Sequence, residues 1–348
     1  NVTLGAIFAP EHGLRGTEGA GEAIENGRDP RTGAPIYSLY GDTRRPTPEM
    51  LEGLDALVFD VQDVGARFYT YTVTMGLAMQ SAAKAGIPFV VLDRPNPLGG
   101  DYTSGFVLEP EHESFVGRYP IPIAHGLTAG ELARMIRGEA FLPGLDSLNL
   151  EVVRMNGWTR SMQWPGTGLE WRPPSPNLPT WDTALLYPGL CFFEGVHASE
   201  GRGTSAPFRQ IGLPGPASRA DSVATLLRAA NLPGLSIDTT TFTPKARPGA
   251  PSPRFEGEQL HGIRFSVTEP TAVDPLETGI HALHAAYQTV PTSADTDFFS
   301  RPTHLSRLAG TDELQTMLEN GAPPDSIIAR WEDEIDQYRT QRSPYLLY

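Results

Sequence analysis

Ala56-Leu57-Val58-Phe59-Asp60 and Ile87-Pro88-Phe89-Val90-Val91-Leu92-Asp93 are the two stretches that decide the fold. Each is a short apolar run ending in an acid, the pattern of a buried strand in a parallel sheet. Between them Thr74–Ala85 is rich in helix formers and Gly86 closes it. Strand, helix and strand in that order make a βαβ unit. Outward from this unit, Val2–Phe8 reads as a strand, and Thr47-Pro48-Glu49 as a helix start with proline at the first helical position. Thr128-Ala129-Gly130-Glu131 is a capping box opening a helix through Arg137, and Leu148–Val153 alternates as a strand. The expected first half is α/β, a mostly parallel sheet covered on both faces.

Trp171-Arg172-Pro173-Pro174-Ser175-Pro176-Asn177-Leu178-Pro179-Thr180 cannot be regular structure, because its prolines remove backbone donors and restrict their neighbours. It is the expected junction between a domain of residues 1–180 and a smaller one of residues 181–348. Beyond it, Leu190–Phe193 and Gly262–Val267 read as strands. Ser222–Ala230, Leu276–Tyr287, Thr311–Leu318 and Ser326–Thr340 read as helices, and the Pro-rich Thr243–Arg254 as a loop. This half is expected to be α+β.

The 348 residues carry a formal charge of −14, which opposes a nucleic-acid or anionic-membrane surface as the main partner. Lys84 and Lys245 are the only lysines, and neither sits in a glycine-rich phosphate loop. Cys191 is alone, so no intrachain disulfide or cysteine-based zinc site forms; it is expected as a buried strand residue. The histidines lack metal-ligand spacing, and neither a Gly-x-Ser-x-Gly elbow nor a Gly-x-Gly-x-x-Gly turn is present. No apolar run is long enough to span a membrane. The chain opens directly on a strand-like run without Met or signal segment, so a truncated or processed start is expected, and the missing targeting segment does not argue for the cytoplasm.

Ligands bind parallel sheets at the carboxyl ends of strands, which draws attention to Ala9–Gly16, Asp60–Tyr71 and Asp93–Gly100. Glu11, beside His12, is a candidate general acid; the alternative is a solvated glutamate next to a histidine that bonds backbone. Asp60, Gln62, Asp63, Arg67, Tyr69 and Tyr71 crowd one turn, suited either to gripping a polyhydroxylated ligand or to an internal Asp–Arg pair. Asp93 is placed to anchor its loop, with Arg94 and Asn96 as ligand contacts. In the second half Glu194, Glu200, Arg202 and Thr204 lie among glycines that let backbone approach a ligand, and arginine suits a carboxylate. Trp158, Trp164 and Trp171 are equally readable as core or as a sugar-stacking platform.

Six motifs stand in order: Pro10-Glu-His-Gly-Leu-Arg-Gly16, Ser38-Leu-Tyr-Gly-Asp-Thr-Arg44, Phe59 through Tyr71, Leu92-Asp-Arg-Pro-Asn-Pro-Leu-Gly-Gly100, Pro173-Pro-Ser-Pro-Asn177 and Ser199-Glu-Gly-Arg-Gly-Thr204. With these the chain resembles the NamZ family of exo-β-N-acetylmuramidases. The resemblance implies a Rossmann-like, mostly parallel three-layer domain followed by a smaller α+β domain, with the active site in the interdomain cleft. It implies removal of β-1,4-linked N-acetylmuramic acid from the non-reducing end of peptidoglycan fragments in bacterial cell-wall turnover, with no metal or organic cofactor. Glu11 matches the family's Pro-Glu-His-Gly glutamate and is the expected general acid/base. Asp60, Asp63 and Glu194 are candidates for a second catalytic carboxylate, with the substrate's own N-acetyl group as an alternative nucleophile. His12, Arg67, Tyr69, Tyr71, Arg94, Asn96, Asn177, Glu200, Arg202 and Thr204 are the expected substrate contacts. The lactyl carboxylate of muramic acid calls for an arginine, Arg202 first and Arg94 or Arg67 next. An extracytoplasmic location follows from the substrate. The chain departs from the family pattern at Ser104, Val196 and His197, and the other reading is a muramyl-sugar-binding protein without catalysis. A missing first βα unit would leave a sheet edge unpaired.

Overall fold

The computed structural model describes residues 2–19, 21–22, 24–290 and 297–348. In the first half the chain runs β1 (Ile7–Ala9), β2 (Gly27–Arg28), β3 (Pro35–Ser38), α1 (Pro48–Leu51), β4 (Leu57–Phe59), α2 (Tyr71–Ala85), β5 (Phe89–Leu92), β6 (Ser104–Val107), β7 (Pro122–Ala124), α3 (Ala129–Gly138) and β8 (Leu150–Val153). The βαβ unit is β4-α2-β5, and β4, β5 and β8 form an all-parallel sheet in that order. β1 pairs in parallel with β3, whose other edge takes β2 antiparallel. Val2–Gly5 lies outside the strand expected there, which begins only at Ile7.

Local chemistry explains the helix ends. Thr47 caps α1 by accepting from Met50 N, and Gly86 ends α2 in the left-handed conformation. The capping box of Thr128 and Glu131 is formed in full. α2 is buried from Tyr71 to Ala82, so it serves two cores. Met75, Ala78, Met79 and Ala82 pack under the parallel sheet with Phe89 and Val91, while Tyr71 joins the second cluster. Each buried Met, Phe or Val among these contributes about 1.5–3 kcal/mol.

Coverage of both sheet faces does not hold among the described residues. Leu57, Phe59, Phe89 and Val91 are buried against α2 and α3, but Val58, Leu92 and Val153 on the opposite face are 53%, 36% and 46% exposed. A short apolar run looks the same whether one face or both are buried.

The second half comprises α4 (Trp181–Leu190), β9 (Gln210–Leu213), α5 (Ala217–Ala229), β10 (Leu235–Phe242), β11 (Leu260–Val267), α6 (Pro275–Gln288), α7 (Pro302–Ala309), α8 (Glu313–Glu319), α9 (Pro324–Ala329) and α10 (Glu332–Arg342). Its sheet is antiparallel, in the order β10-β11-β9. The strand expected at Leu190–Phe193 is instead the end of α4 and a 3-10 turn, Cys191–Gly195. α4 is buried on every side and therefore shows no helical period in sequence. Cys191 is buried, but in that turn. The single helix expected over Ser326–Thr340 breaks at Trp331, whose ring is buried edge-on against Phe106 at 5.0 Å.

The end of the chain returns to the first half. Tyr338 Oη donates to the His125 carbonyl at 2.7 Å, Arg342 Nη1 to the Gly126 carbonyl at 2.7 Å, and Tyr348 Oη to Asp93 at 2.9 Å. One hydrophobic cluster also runs from Val64 and Phe68 through Leu185 and Phe192 to Ile263. Trp158 and Trp164 are buried and Trp171 is half-buried: Trp164 and Trp171 meet edge-on at 5.1 Å, and Trp158 meets Tyr348 at 5.2 Å. No helix among the described residues is long and apolar enough to cross a membrane.

Candidate active site

The loop leaving β1 turns sharply at His12 and Gly13, both with positive φ, and tucks Glu11 and His12 inward. Glu11 Oε1 accepts from Gly21 N at 3.0 Å and Oε2 from Thr70 Oγ1 at 2.7 Å. Tyr71 Oη reaches the Glu11 carbonyl at 3.0 Å and the Pro174 carbonyl at 2.9 Å, pinning the loop to the Pro-rich segment. Thr70 and Tyr71 are adjacent at the start of α2, so the helix that roofs the sheet also fixes this carboxylate.

Aromatic and basic groups surround it. His12 Nδ1 bonds the Glu18 carbonyl at 2.8 Å, and its ring lies 6.3 Å from Tyr69 and 6.4 Å from Tyr71. Burial lowers the His12 pKa against the opposing pull of Glu11, and the charge of Arg202 lowers it further. The Tyr40 phenol is within reach of the Glu11 charge; burial, then Glu11, raises its pKa, while Arg44 and Arg202 act in the opposite sense. Arg202, from the second half, is therefore within electrostatic reach of the groups around Glu11.

Arg202 has its own tight cluster. Glu194, in the 3-10 turn after α4, lies 2.6 Å from Arg202 Nη2 through Oε1 and 3.1 Å from His304 Nε2 through Oε2. Burial would raise the Glu194 pKa, but Arg202 and His304 outweigh it and hold it at about 2. Glu200 Oε1 is 3.6 Å from Arg202 Nε, and its Oε2 is enclosed without a partner. Burial, with Glu194 adding to it, raises Glu200 against the pull of Arg202. Arg202 stacks over Phe208 at 5.1 Å. Arg254 holds the turn from behind, with Nη1 donating to the Phe193 and Glu194 carbonyls at 3.2 and 3.3 Å.

Other expected contacts are committed to the fold. Arg67 is 1% exposed, and its Nη1 and Nη2 donate to the carbonyls of Phe106, Ile121, Leu308 and Ala309 at 2.7–2.9 Å. Burial pulls its pKa down to about 9, and no donor is left for a ligand carboxylate at those two nitrogens. Asn96 bridges Leu98 N and the Leu127 carbonyl, and Asn177 Nδ2 donates to the Gly249 carbonyl at 2.8 Å. Thr204 closes its own turn onto the Gly201 carbonyl at 2.6 Å. Tyr69 is buried in the hydrophobic cluster. Asp60 and Arg94 pair with each other at the surface at 2.6 Å, half exposed. Asp63 Oδ2 accepts from Gly65 N at 2.7 Å and lies 3.4 Å from His125 Nε2. Asp93 anchors the start of α3 through Thr128 Oγ1 and Gly130 N.

The departures from the family pattern sit in packing positions. Val196 is fully buried, Ser104 opens β6, and His197 bonds Phe298 through its backbone while its ring meets Phe255 at 5.1 Å. Sequence reasoning missed Tyr40, Arg44, Thr70, His304 and Arg254. Tyr40 and Arg44 lie in the Ser38–Arg44 motif that follows β3, whose apolar Pro35-Ile36-Tyr37 is a usable strand signal. A cavity of about 540 Å³ between α3, β8 and Pro344–Leu347 contains none of the candidate residues.

The family model described as exo-beta-N-acetylmuramidase NamZ, N-terminal, matches residues 1–182, and its C-terminal counterpart matches residues 185–348. The chain is 41% identical over all 348 residues to peptidoglycan beta-N-acetylmuramidase NamZ of Bacillus subtilis (strain 168), covering 80% of that protein. Two crystal structures of DUF1343 family proteins from Bacteroides fragilis NCTC 9343 share its fold. One has 35% identity and a TM-score of 0.87 over 100% of this chain and 87% of its own. The other has 36% identity and a TM-score of 0.77 over 99% of this chain and 86% of its own. On whole-length sequence and fold alike, this chain belongs to the NamZ family of exo-β-N-acetylmuramidases.

Proposed function

We propose that the protein is an exo-acting glycosidase that removes β-1,4-linked N-acetylmuramic acid from the non-reducing end of peptidoglycan fragments, with Glu11 as general acid/base. The observation that carries this reading is the setting of Glu11: a buried carboxylate after a strand end, fixed by Gly21 and Thr70, with Tyr40 and Arg202 within electrostatic reach. The reach of Arg202 to His12 and Tyr40 supports an active site in a cleft between the first half of the chain and the second.

Asp63 and Glu194 offer no uncommitted, accessible oxygen, and Asp60 is a half-exposed surface carboxylate held through Oδ1 by Arg94. Glu194 is clamped by Arg202 and His304, and Asp63 has one oxygen on Gly65 N and the other enclosed. This favours the substrate's acetamido oxygen as the nucleophile. That oxygen bonds to C1 as the C1–O4 bond breaks, and protonated Glu11 gives its proton to the departing O4. Water then opens the cyclic intermediate at C1 and returns a proton to Glu11.

The substrate class and the −14 charge suit a protein acting on released fragments outside the cytoplasm. The test is chromophore release from para-nitrophenyl β-N-acetylmuramide and the matching N-acetylglucosaminide by wild type and Glu11→Gln. Turnover of the muramide, abolished by the substitution, is expected. Muramyl-sugar binding without any turnover in the wild type would leave a binding protein instead.

A further inference from the structure

We propose that Arg44 is the specificity residue that reads the lactyl carboxylate of muramic acid. This rests on the muramidase reading above. Muramic acid differs from glucosamine by a 3-O-lactyl ether ending in a carboxylate, so the discriminating group is a planar anion. A guanidinium with free N–H edges is its natural complement.

The arginines favoured by sequence are already occupied. Arg67 gives Nη1 and Nη2 to four carbonyls, and Arg94 is paired with Asp60. Arg202 lies between Glu194 and Glu200 with its Nε enclosed. A third carboxylate brought to Arg202 would meet two acidic side chains and little net positive charge.

Arg44 is the opposite case. It is exposed and makes no ion pair or side-chain hydrogen bond among the described residues. Its guanidinium carbon stands 4.6 Å over the Phe115 ring. Stacking of this kind fixes the plane of the group and leaves its N–H edge open, so less freedom is lost when a carboxylate arrives. Its position is also right. Phe115 packs on Tyr40 with ring centres 5.9 Å apart, and the Glu11 charge reaches the Tyr40 phenol. Arg44, Phe115 and Tyr40 thus form one continuous run of contacts on the side of Glu11. A sugar whose glycosidic oxygen meets Glu11 carries its C3 substituent away from the scissile bond, and Arg44 is separated from Glu11 by Tyr40.

The deciding experiment compares para-nitrophenyl β-N-acetylmuramide with the same compound as its lactyl methyl ester, on wild type, Arg44→Ala, Arg44→Lys and Arg202→Ala. Wild type is expected to prefer the free acid. In Arg44→Ala, kcat/KM for the acid should fall about 10- to 100-fold, chiefly through KM, while the ester is unaffected, so the preference disappears. Arg44→Lys should recover part of it. Retained preference in Arg44→Ala, its loss in Arg202→Ala alone, or no preference in wild type would each overturn the assignment. If wild type turns over neither compound, the muramidase reading fails separately. Calorimetric binding of N-acetylmuramic acid and N-acetylglucosamine then decides: Arg44→Ala must lose the muramic acid preference, and unchanged or absent preference refutes the role.

Discussion

Thr70 Oγ1 donates to Glu11 Oε2 at 2.7 Å, joining the loop after β1 to the first turn of the helix α2. Thr70 is the N-cap residue of α2, yet its side chain makes no capping bond to the helix. The hydroxyl is committed to Glu11. Thr70→Val keeps the shape and the stiff χ1 and removes only the donor. We expect kcat/KM on a muramide substrate to fall about 5- to 10-fold, the equivalent of one hydrogen bond, with little change in the thermal midpoint. A large loss of stability with normal activity per folded molecule would refute the assignment.

Arg67 tests the opposite role. A buried cation held by four carbonyls joins the β6–β7 ribbon to the end of α7. Lysine keeps the charge but has three donors for four acceptors, in the wrong geometry. Arg67→Lys should cost about 2–4 kcal/mol in urea unfolding, while the activity of the folded fraction stays near wild type. A weakened KM without loss of stability would return Arg67 to the substrate contacts.

These two residues show what was legible in the sequence. Apolar runs ending in acids, the Gly86 stop and the Thr128–Glu131 box are local signals, and β4-α2-β5 and α3 stand where they indicated. α4 was missed because a helix buried on all sides has no polar face to set a period. The break at Trp331 was missed because no glycine or proline marks it, and the ring that Trp331 packs on, Phe106, is far away in the chain. The site divides in the same way. Carboxylates and arginines near strand ends were recognisable as types. What Arg67 does depends on carbonyls of residues 106, 121, 308 and 309, which no local pattern exposes.

Gly65 carries a further constraint. Its φ is +81°, and a Cβ there would run into the Asn96 carboxamide. That carboxamide bridges Leu98 N and the Leu127 carbonyl, so it cannot move aside without losing both bonds. Gly65→Ala should lose about 2–4 kcal/mol, from left-handed strain plus overpacking, as read from the urea midpoint. A neutral result would mean that Asn96 has room to rotate.

Glu194 and Glu200 share Arg202 and should respond to pH with opposite signs. For Glu194, burial pushes the pKa up, but Arg202 and His304 bring it from 4.5 down to about 2. A depressed carboxylate stabilises the fold above its unfolded value and loses that contribution as pH falls from about 4.5 toward 2. For Glu200, burial and the nearby Glu194 charge outweigh Arg202 and raise the pKa. Its favoured form is the neutral one, whose contribution is present below the unfolded value and lost as pH rises through the folded one. Glu194→Gln should therefore destabilise at neutral pH, on the order of 2–3 kcal/mol, and flatten the acid limb of stability against pH. Glu200→Gln, which copies the neutral form, should be neutral or stabilising by up to about 1 kcal/mol at neutral pH and indistinguishable from wild type in acid. Urea midpoints for the three proteins across acid to neutral pH decide it. Parallel losses in both variants at neutral pH would mean that the Glu200 charge stabilises the fold rather than opposing it.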